Sequence, residues 1–268
     1  MPDGGGEAKD GMLGKGLNLL LALGEYPQGS GLSRLATDAG LPPSTAHRLL
    51  NSMIQPGFVN FDEETRQYSL GVRVFELSSR VSLVETLSSV ALPVMRRATE
   101  VSGEQTLMAV RRDLELVYLE KVEGPHQLQN NAPIGARGPL HCSAMGKALL
   151  AWLPEAEMEA TVARLDLARR TPHTIVTHSA LLTELRTARR AGYATNEQEN
   201  ELGVRSVAVP VLDPRGRPAC AICITAPVFR CSREALDSHI PLLKELVREA
   251  EVRLPRRGAV RNGTGGRS

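Results

Sequence analysis

Aromatic residues make up only 3% of this 268-residue sequence, so a hydrophobic core has to rest on Leu, Val, Ala and Ile. Long apolar runs are missing too; none approaches the roughly 20 residues that cross a bilayer. The opening MPDGGGEAKDG lacks the charged-then-apolar pattern of an export signal. A cytoplasmic location is therefore expected, with the four cysteines reduced. Net charge is only +2, so any nucleic-acid surface has to be a local patch.

Chemical signatures are equally sparse. No phosphate-loop or dinucleotide fingerprint occurs, and the glycines of DGGGEAKDG follow no strand. The six histidines are scattered without an HxxH or HxH pair; His173 and His178 come nearest to one. Cys220 and Cys223 of CAIC are an odd number of residues apart, which on a strand sends the two sulfurs to opposite faces, against a shared metal. Neighbours in an extended loop point apart, so His141, Cys142 and Ser143 do not pair as base and nucleophile. No catalytic residue, metal or cofactor is expected, and the chain is not read as an enzyme.

What is present is first a set of helices with sharp punctuation. Residues 13–23 place Leu13, Leu17, Leu20 and Leu21 at helical spacing. Leu32, Leu35, Ala36 and Ala39 form one face of a short second helix. Gly40 suits the left-handed residue that ends it. Pro42 and Pro43 forbid continuation but are welcome in the first turn of a third helix, whose stripe is Ala46, Leu49, Leu50 and Met53. That pattern fits a helix-turn-helix, and equally a plain αα-hairpin.

The following GFVNFDEETRQYSLG decides between them, because β-prone runs at 58–61 and 67–70 flank a polar turn at 62–65. Three helices and a hairpin make a winged helix-turn-helix. The outward face of the third helix offers Ser44, Thr45, His47, Arg48, Asn51 and Ser52, with no acid among them to repel phosphate. Lys15 before the first helix, Ser33, Pro43 at the helix start and Arg66 in the wing complete the expected DNA-facing set. The partner expected here is double-stranded DNA.

Residues 72–97 read as one helix with Val74, Leu77, Val81 and Val84 on a face, a linker that either packs on the next domain or joins a dimer seam. Beyond it, EQTLMAVRR, LELVYLEKVEG and HQLQNN read as strands. LHCSAMGKALLAWLP is a loop entering a helix, with further helices at 154–165 and 178–191. GYATNEQE turns the chain back, VRSVAVPVLD and PACAICITAP are strands, and 232–254 is a last helix. A sheet of five or six strands flanked by helices is α+β.

The segments GLPPSTAHRLL, LHCSAMGKALLAWLP, GYATNEQENELGVRSVAVPVLD and AICITAPVFR, in this order, resemble the IclR (isocitrate lyase regulator) family of bacterial transcription regulators over about 11–254. The resemblance implies a ligand-responsive regulator, repressor or activator. It implies dimers or dimer-of-dimers tetramers on palindromic operators, with no membrane involvement. It also implies a GAF-like effector domain at 98–254, after a disordered lead-in at 1–10, a winged domain at 11–72 and a linker helix at 73–97; a disordered tail at 255–268 follows.

The positions it implies for the small-molecule effector are Ala144, Met145, Asn196, Val204, Ser206, Cys223 and Thr225. Relatives often carry an acid where this chain has neutral Asn196, and Met145 is bulky where a small residue occurs. Two local features bear on the ligand independently. Cys223 and Thr225 share a strand face, and the helix at 146–153 begins beside the loop with free N–H groups, so a small organic acid is the expected ligand class.

Overall fold

The computed structural model describes residues 11–78, 82–126 and 132–254. The chain divides into two compact units, Met1–Ser82 and Leu83–Ser268.

The first unit runs α1 (Met12–Gly24), β1 (Ser30–Gly31), α2 (Leu32–Asp38), α3 (Pro43–Ile54), β2 (Val59–Asp62), β3 (Gln67–Leu70) and α4 (Val72–Ser78). Its core joins Leu19 and Leu23 of α1, Leu35 and Ala36 of α2, and Ala46, Leu49 and Leu50 of α3 to Val59 and Tyr68 of the hairpin. Two expectations need correction. α1 buries Gly16, Leu19, Ala22 and Leu23, while Leu13, Leu17 and Leu21 of the expected stripe are exposed. Leucines occupy both sides of this helix, so periodicity alone could not choose between them. Lys15 lies within the first turn of α1 rather than before it.

The turn between α2 and α3 closes by local bonds. Gly40 sits at φ +63°, its N–H donates to Thr37 O, and the Leu41 N–H donates to Ala36 O at 2.8 Å. These two bonds are a Schellman cap, which needs a left-handed residue where glycine stands. Pro43 is the first residue of α3, and the Thr45 and Ala46 N–H groups both donate to Pro42 O, the latter as the first regular bond of the helix.

In the stretch read as one linker helix, the described backbone holds α4 and then α5 (Ser82–Ser102), which starts at the division between units. The rest of the second unit is β4 (Gln105–Arg112), β5 (Glu115–Val122), β6 (Arg137–Pro139), α6 (Ala144–Ala151), α7 (Glu155–Val162), α8 (His178–Ala191), β7 (Ala194–Glu197), β8 (Val204–Leu212), β9 (Pro218–Pro227), α9 (Arg233–Asp237) and α10 (Ile240–Arg253). Among the described residues the sheet is antiparallel in the order β6-β5-β4-β9-β8-β7. The strand expected at HQLQNN falls on 127–131, outside the described residues. GYATNEQE, read as a turn, contains strand β7, and the last helix is divided into α9 and α10.

Strand alternation sorts the core into two layers. Leu107, Ala109, Ala208, Ala221 and Cys223 face α6, α7 and α8. Met108, Val207, Val209, Cys220, Ile222 and Ile224 face α5 and α10. Cys220 and Cys223 thus lie on opposite faces, as the odd spacing requires. The α6 side is built largely of alanine, so this helix comes close to the sheet and all eight of its residues are buried. A Cβ on Gly146 would stand 2.4 Å from Leu140 O, so only glycine lets the loop that enters α6 fold back against the helix. No helix among the described residues is long and apolar enough to cross a membrane.

Candidate functional site

The first candidate surface follows from which side of α3 is buried. With Ala46, Leu49 and Leu50 in the core, Ser44, His47, Arg48, Asn51 and Ser52 are exposed and Thr45 is half-buried. Asn51 Nδ2 lies 3.3 Å from His47 Nε2, so these two side chains are held together one turn apart. Among the described residues Arg48 reaches only Met12 Sδ, donating to it at 3.4 Å. That contact sets the start of α1 beside α3, and Lys15 follows Met12 on the same side of α1. Ser33 is exposed in the first turn of α2.

Cations in this unit fall into two groups. Arg34 is bound to Tyr26 Oη at 2.8 Å, and Arg73 is paired with Glu76 at 2.6 Å. Lys15, Arg48 and Arg66 have no carboxylate partner among the described residues. Neither α1 nor α3 contains an acid. The wing differs. Its tip reads Asp62-Glu63-Glu64, with Asp62 Oδ1 accepting from Glu64 N and Thr65 N. Those backbone bonds hold the Asp62 carboxyl below its ordinary range. Arg66, at φ +57°, lays its guanidinium 5.3 Å from the Phe61 ring centre and is the wing's one cation.

The second candidate site lies on the α6 side of the sheet. Asn196, Ser206 and Thr225 are register partners across β7, β8 and β9, so their side chains share that face. All three are buried, at 5%, 6% and 4% exposure. Asn196 Oδ1 accepts from Glu199 N at 2.8 Å and Asn200 N at 3.3 Å, which closes the β7–β8 turn. Among the described residues the Thr225 hydroxyl has only a long bond, donating to Arg205 O at 3.4 Å. Val204 starts β8, half-buried, two residues from Ser206 on the same face. Cys223 is beneath them, packed in the core with Ala144 and Met145 from the α6 entrance. Ser143 caps α6 through its hydroxyl, accepting from Gly146 N at 3.1 Å. A shallow depression lined by Ile175, Ser179 and Thr187 contains none of these groups.

Burial keeps the neighbouring chemistry inert. Desolvation pushes the Cys142 and Cys223 thiols up to about 12, so neither is a thiolate at neutral pH. The His141 ring lies 3.1 Å from Ala168 O, and its burial pulls its pKa down. No cluster of His, Cys, Asp or Glu fit to hold a metal occurs among the described residues.

Three neighbours of the site escaped the sequence reading. Tyr118 of β5 is buried on this face, its hydroxyl pushed up to about 12 by desolvation beside Cys223 and Cys142. Lys147, on α6, is fully buried and bonds Glu199 at 2.6 Å and Glu184 at 3.2 Å. A lone lysine inside AMGKALLAWL was the available signal, since an amine in an apolar helix requires a partner. Burial raises the Glu199 carboxyl, and the Lys147 ammonium opposes that rise. The third, Gln105, extends the polar row onto β4.

Comparison with known proteins gives two family matches. Residues 12–63 match the IclR helix-turn-helix domain, and residues 79–252 match the bacterial transcriptional regulator IclR C-terminal domain. The transcriptional repressor IclR of Escherichia coli (strain K12) is 36% identical over 242 residues, 90% of this chain and 88% of that protein. The crystal structure of the Thermotoga maritima IclR superposes with a TM-score of 0.71 at 26% identity, covering 90% of this chain and 98% of that one. An IclR homologue from Microbacterium hydrocarbonoxydans, solved in complex with 4-hydroxybenzoate, gives 0.77 at 29% identity, covering 91% and 97%.

Proposed function

The chain belongs to the IclR family of bacterial transcription regulators, and on that premise we propose that it is a homo-oligomeric repressor released from palindromic operator DNA by a small organic acid. As a family member it is a DNA-binding regulator and not an enzyme. The finer reading rests on one observation above the rest. The exposed face of α3 and the adjoining start of α1 combine hydroxyl, imidazole and amide groups with unpaired cations and no acid.

In this reading α3 enters the major groove. Ser44, Thr45, Arg48, His47 and Asn51 face bases and phosphates, and Lys15, Ser33 and Pro43 lie along the backbone. The acidic wing tip leaves Arg66 a minor phosphate contact. The Escherichia coli relative is a transcriptional repressor, which supports repression here. Oligomer formation is supported by exposed Leu13, Leu17 and Leu21 on α1 and by Phe75, 70% exposed, on α4; a lone winged domain has no use for such surface. The work is that of a cytoplasmic protein. The division proposed is a winged domain at 11–72, a linker at 73–97 and an effector domain at 98–254.

The effector fits among Asn196, Ser206 and Thr225, with Ala144 and Met145 at the N-terminal end of α6 facing its carboxylate and Val204 and Cys223 as apolar walls. A solved homologue binding an aromatic acid supports the class. Binding shifts the equilibrium between arrangements of the DNA-binding modules and so changes operator affinity.

The test is operator titration by the full-length chain across a salt series. Affinity should fall steeply and linearly in log salt, with a slope set by the phosphates neutralised. A salt-independent affinity, or no binding at low salt, refutes the interface.

A further inference from the structure

The polar row on the α6 face does not stop at Thr225. Gln105, the first residue of β4, is the register partner of Thr225, so Gln105, Thr225, Ser206 and Asn196 stand in line across four strands. Leu107 and Ala109, further along the same face of β4, lie in the α6-side core, which fixes the direction of the Gln105 side chain. Gln105 is 2% exposed, and neither its Nε2 nor its Oε1 has a hydrogen-bond partner among the described residues. Its neighbour Glu104 is fully occupied by Arg230, at 2.7 and 2.9 Å, and does not compete for the amide.

A buried amide with both ends unpaired is costly, and a native chain keeps such a group where something absent completes it. Adjacent strands lie about 4.8 Å apart, so the backbones of Gln105 and its register partner Thr225 stand one such spacing apart, with both side chains on the α6 face. Its two ends ask for different things. Nε2 needs an acceptor, which a carboxylate or hydroxyl oxygen supplies. Oε1 needs a donor, which a carboxylate or an unsubstituted chain or ring does not have.

We infer that Gln105 is a specificity-determining residue of the effector site, and that it selects an organic acid bearing a hydroxyl as well as its carboxylate. The inference rests on the organic-acid reading of this site and adds the residue and the second functional group. The carboxylate lies over Thr225 and Ser206 towards α6, and the hydroxyl meets the Gln105 amide. An acid without that hydroxyl buries Oε1 unpaired and is rejected.

The experiment is calorimetric titration of the full-length chain with matched acids: 4-hydroxybenzoate against benzoate, and 4-hydroxybutanoate against butanoate. Wild type should prefer the hydroxylated member of at least one pair by about tenfold or more, because rejection leaves a buried polar group unpaired. Gln105→Leu keeps the side-chain volume and should bring that ratio close to unity. Its unliganded melting temperature should rise, since two unpaired buried polar atoms are removed. Thr225→Trp should abolish binding of every acid. A ratio unchanged in Gln105→Leu overturns the role of Gln105 alone, leaving the site standing if Thr225→Trp still blocks it. No preference in wild type overturns the hydroxyl selection. A fall in unliganded melting temperature overturns the inference, because it means the amide is already paired. Failure of all four acids to bind wild type at millimolar concentration removes the organic-acid reading and this inference together.

Discussion

Replacing Lys147 by Met removes the ammonium from a position with no solvent access and leaves a thioether of similar length in an apolar layer. Glu199 then stays buried at 7% exposure, with Oε2 already unpartnered and Oε1 deprived of its 2.6 Å bond. Glu184 loses a 3.2 Å contact, but at one-third exposure water takes over. The cost comes from Glu199: breaking a buried pair from one side costs about 3–5 kcal/mol. For a unit of this size each kcal/mol moves the melting temperature by about 2–4 °C, so a drop of roughly 6–20 °C near neutral pH is expected.

The pH dependence carries the diagnosis. Burial puts the folded-state pKa of Glu199 above its unfolded value. The native state then holds the proton more tightly than the unfolded state, so this group costs stability at high pH. That cost is relieved as pH falls through the folded pKa towards the unfolded one. Losing Lys147 raises the folded pKa further. Lys147→Met should therefore regain stability on mild acidification relative to wild type, at no more than about 1.4 kcal/mol per pH unit for one proton. Adding Glu199→Gln should restore most of the loss and flatten the difference. Thermal melts of the three proteins from pH 5 to pH 8 make the comparison. A loss below about 1 kcal/mol, or one that is independent of pH and not rescued by Glu199→Gln, would refute the reasoning.

Arg48→Ala should weaken operator binding by about 1–3 kcal/mol while leaving acid binding intact, whereas Arg66→Ala, beside an acidic wing tip, should cost less and flatten the salt slope by at most about one; anisotropy titrations at several salt concentrations separate the two. Gly146→Ala places a Cβ 2.4 Å from Leu140 O and 2.6 Å from Ser143 Oγ, so the α6 entrance has to move. A destabilisation of about 1–3 kcal/mol is expected in chemical denaturation, together with loss of acid binding. Cys142, Cys220 and Cys223, with thiols pushed up to about 12, should resist alkylation in the folded protein at pH 8 and react once it is unfolded, a contrast that mass spectrometry reads directly.

Local chemistry made the DNA-facing half legible. Gly40, Pro42 and Pro43 dictate a Schellman cap and a fresh helix start, and the exposed side of α3 follows from its own stripe. The same logic failed at α1, where leucines on two faces offer two stripes and only packing against α2, α3 and the hairpin selects Leu19 and Leu23. It failed too at the short edge strands: β6 pairs with β5 some way back in the chain, and β7, four residues long, is hidden in a segment whose composition reads as a turn. Residues 232–254 read as one helix because periodicity does not register the break at Ser238 and His239 between α9 and α10.

Sequence alone determined what depends on neighbours a few residues away: the helix-turn-helix, the acid-free face of α3, the alternation of β8 and β9 and the loop that runs into α6. The tertiary structure decided what depends on register. Asn196, Ser206, Thr225 and Gln105 are spread over 121 positions of the chain, and only antiparallel pairing of β7, β8, β9 and β4 places them in one row. A one-residue slip in any pair would turn its side chains to the other layer.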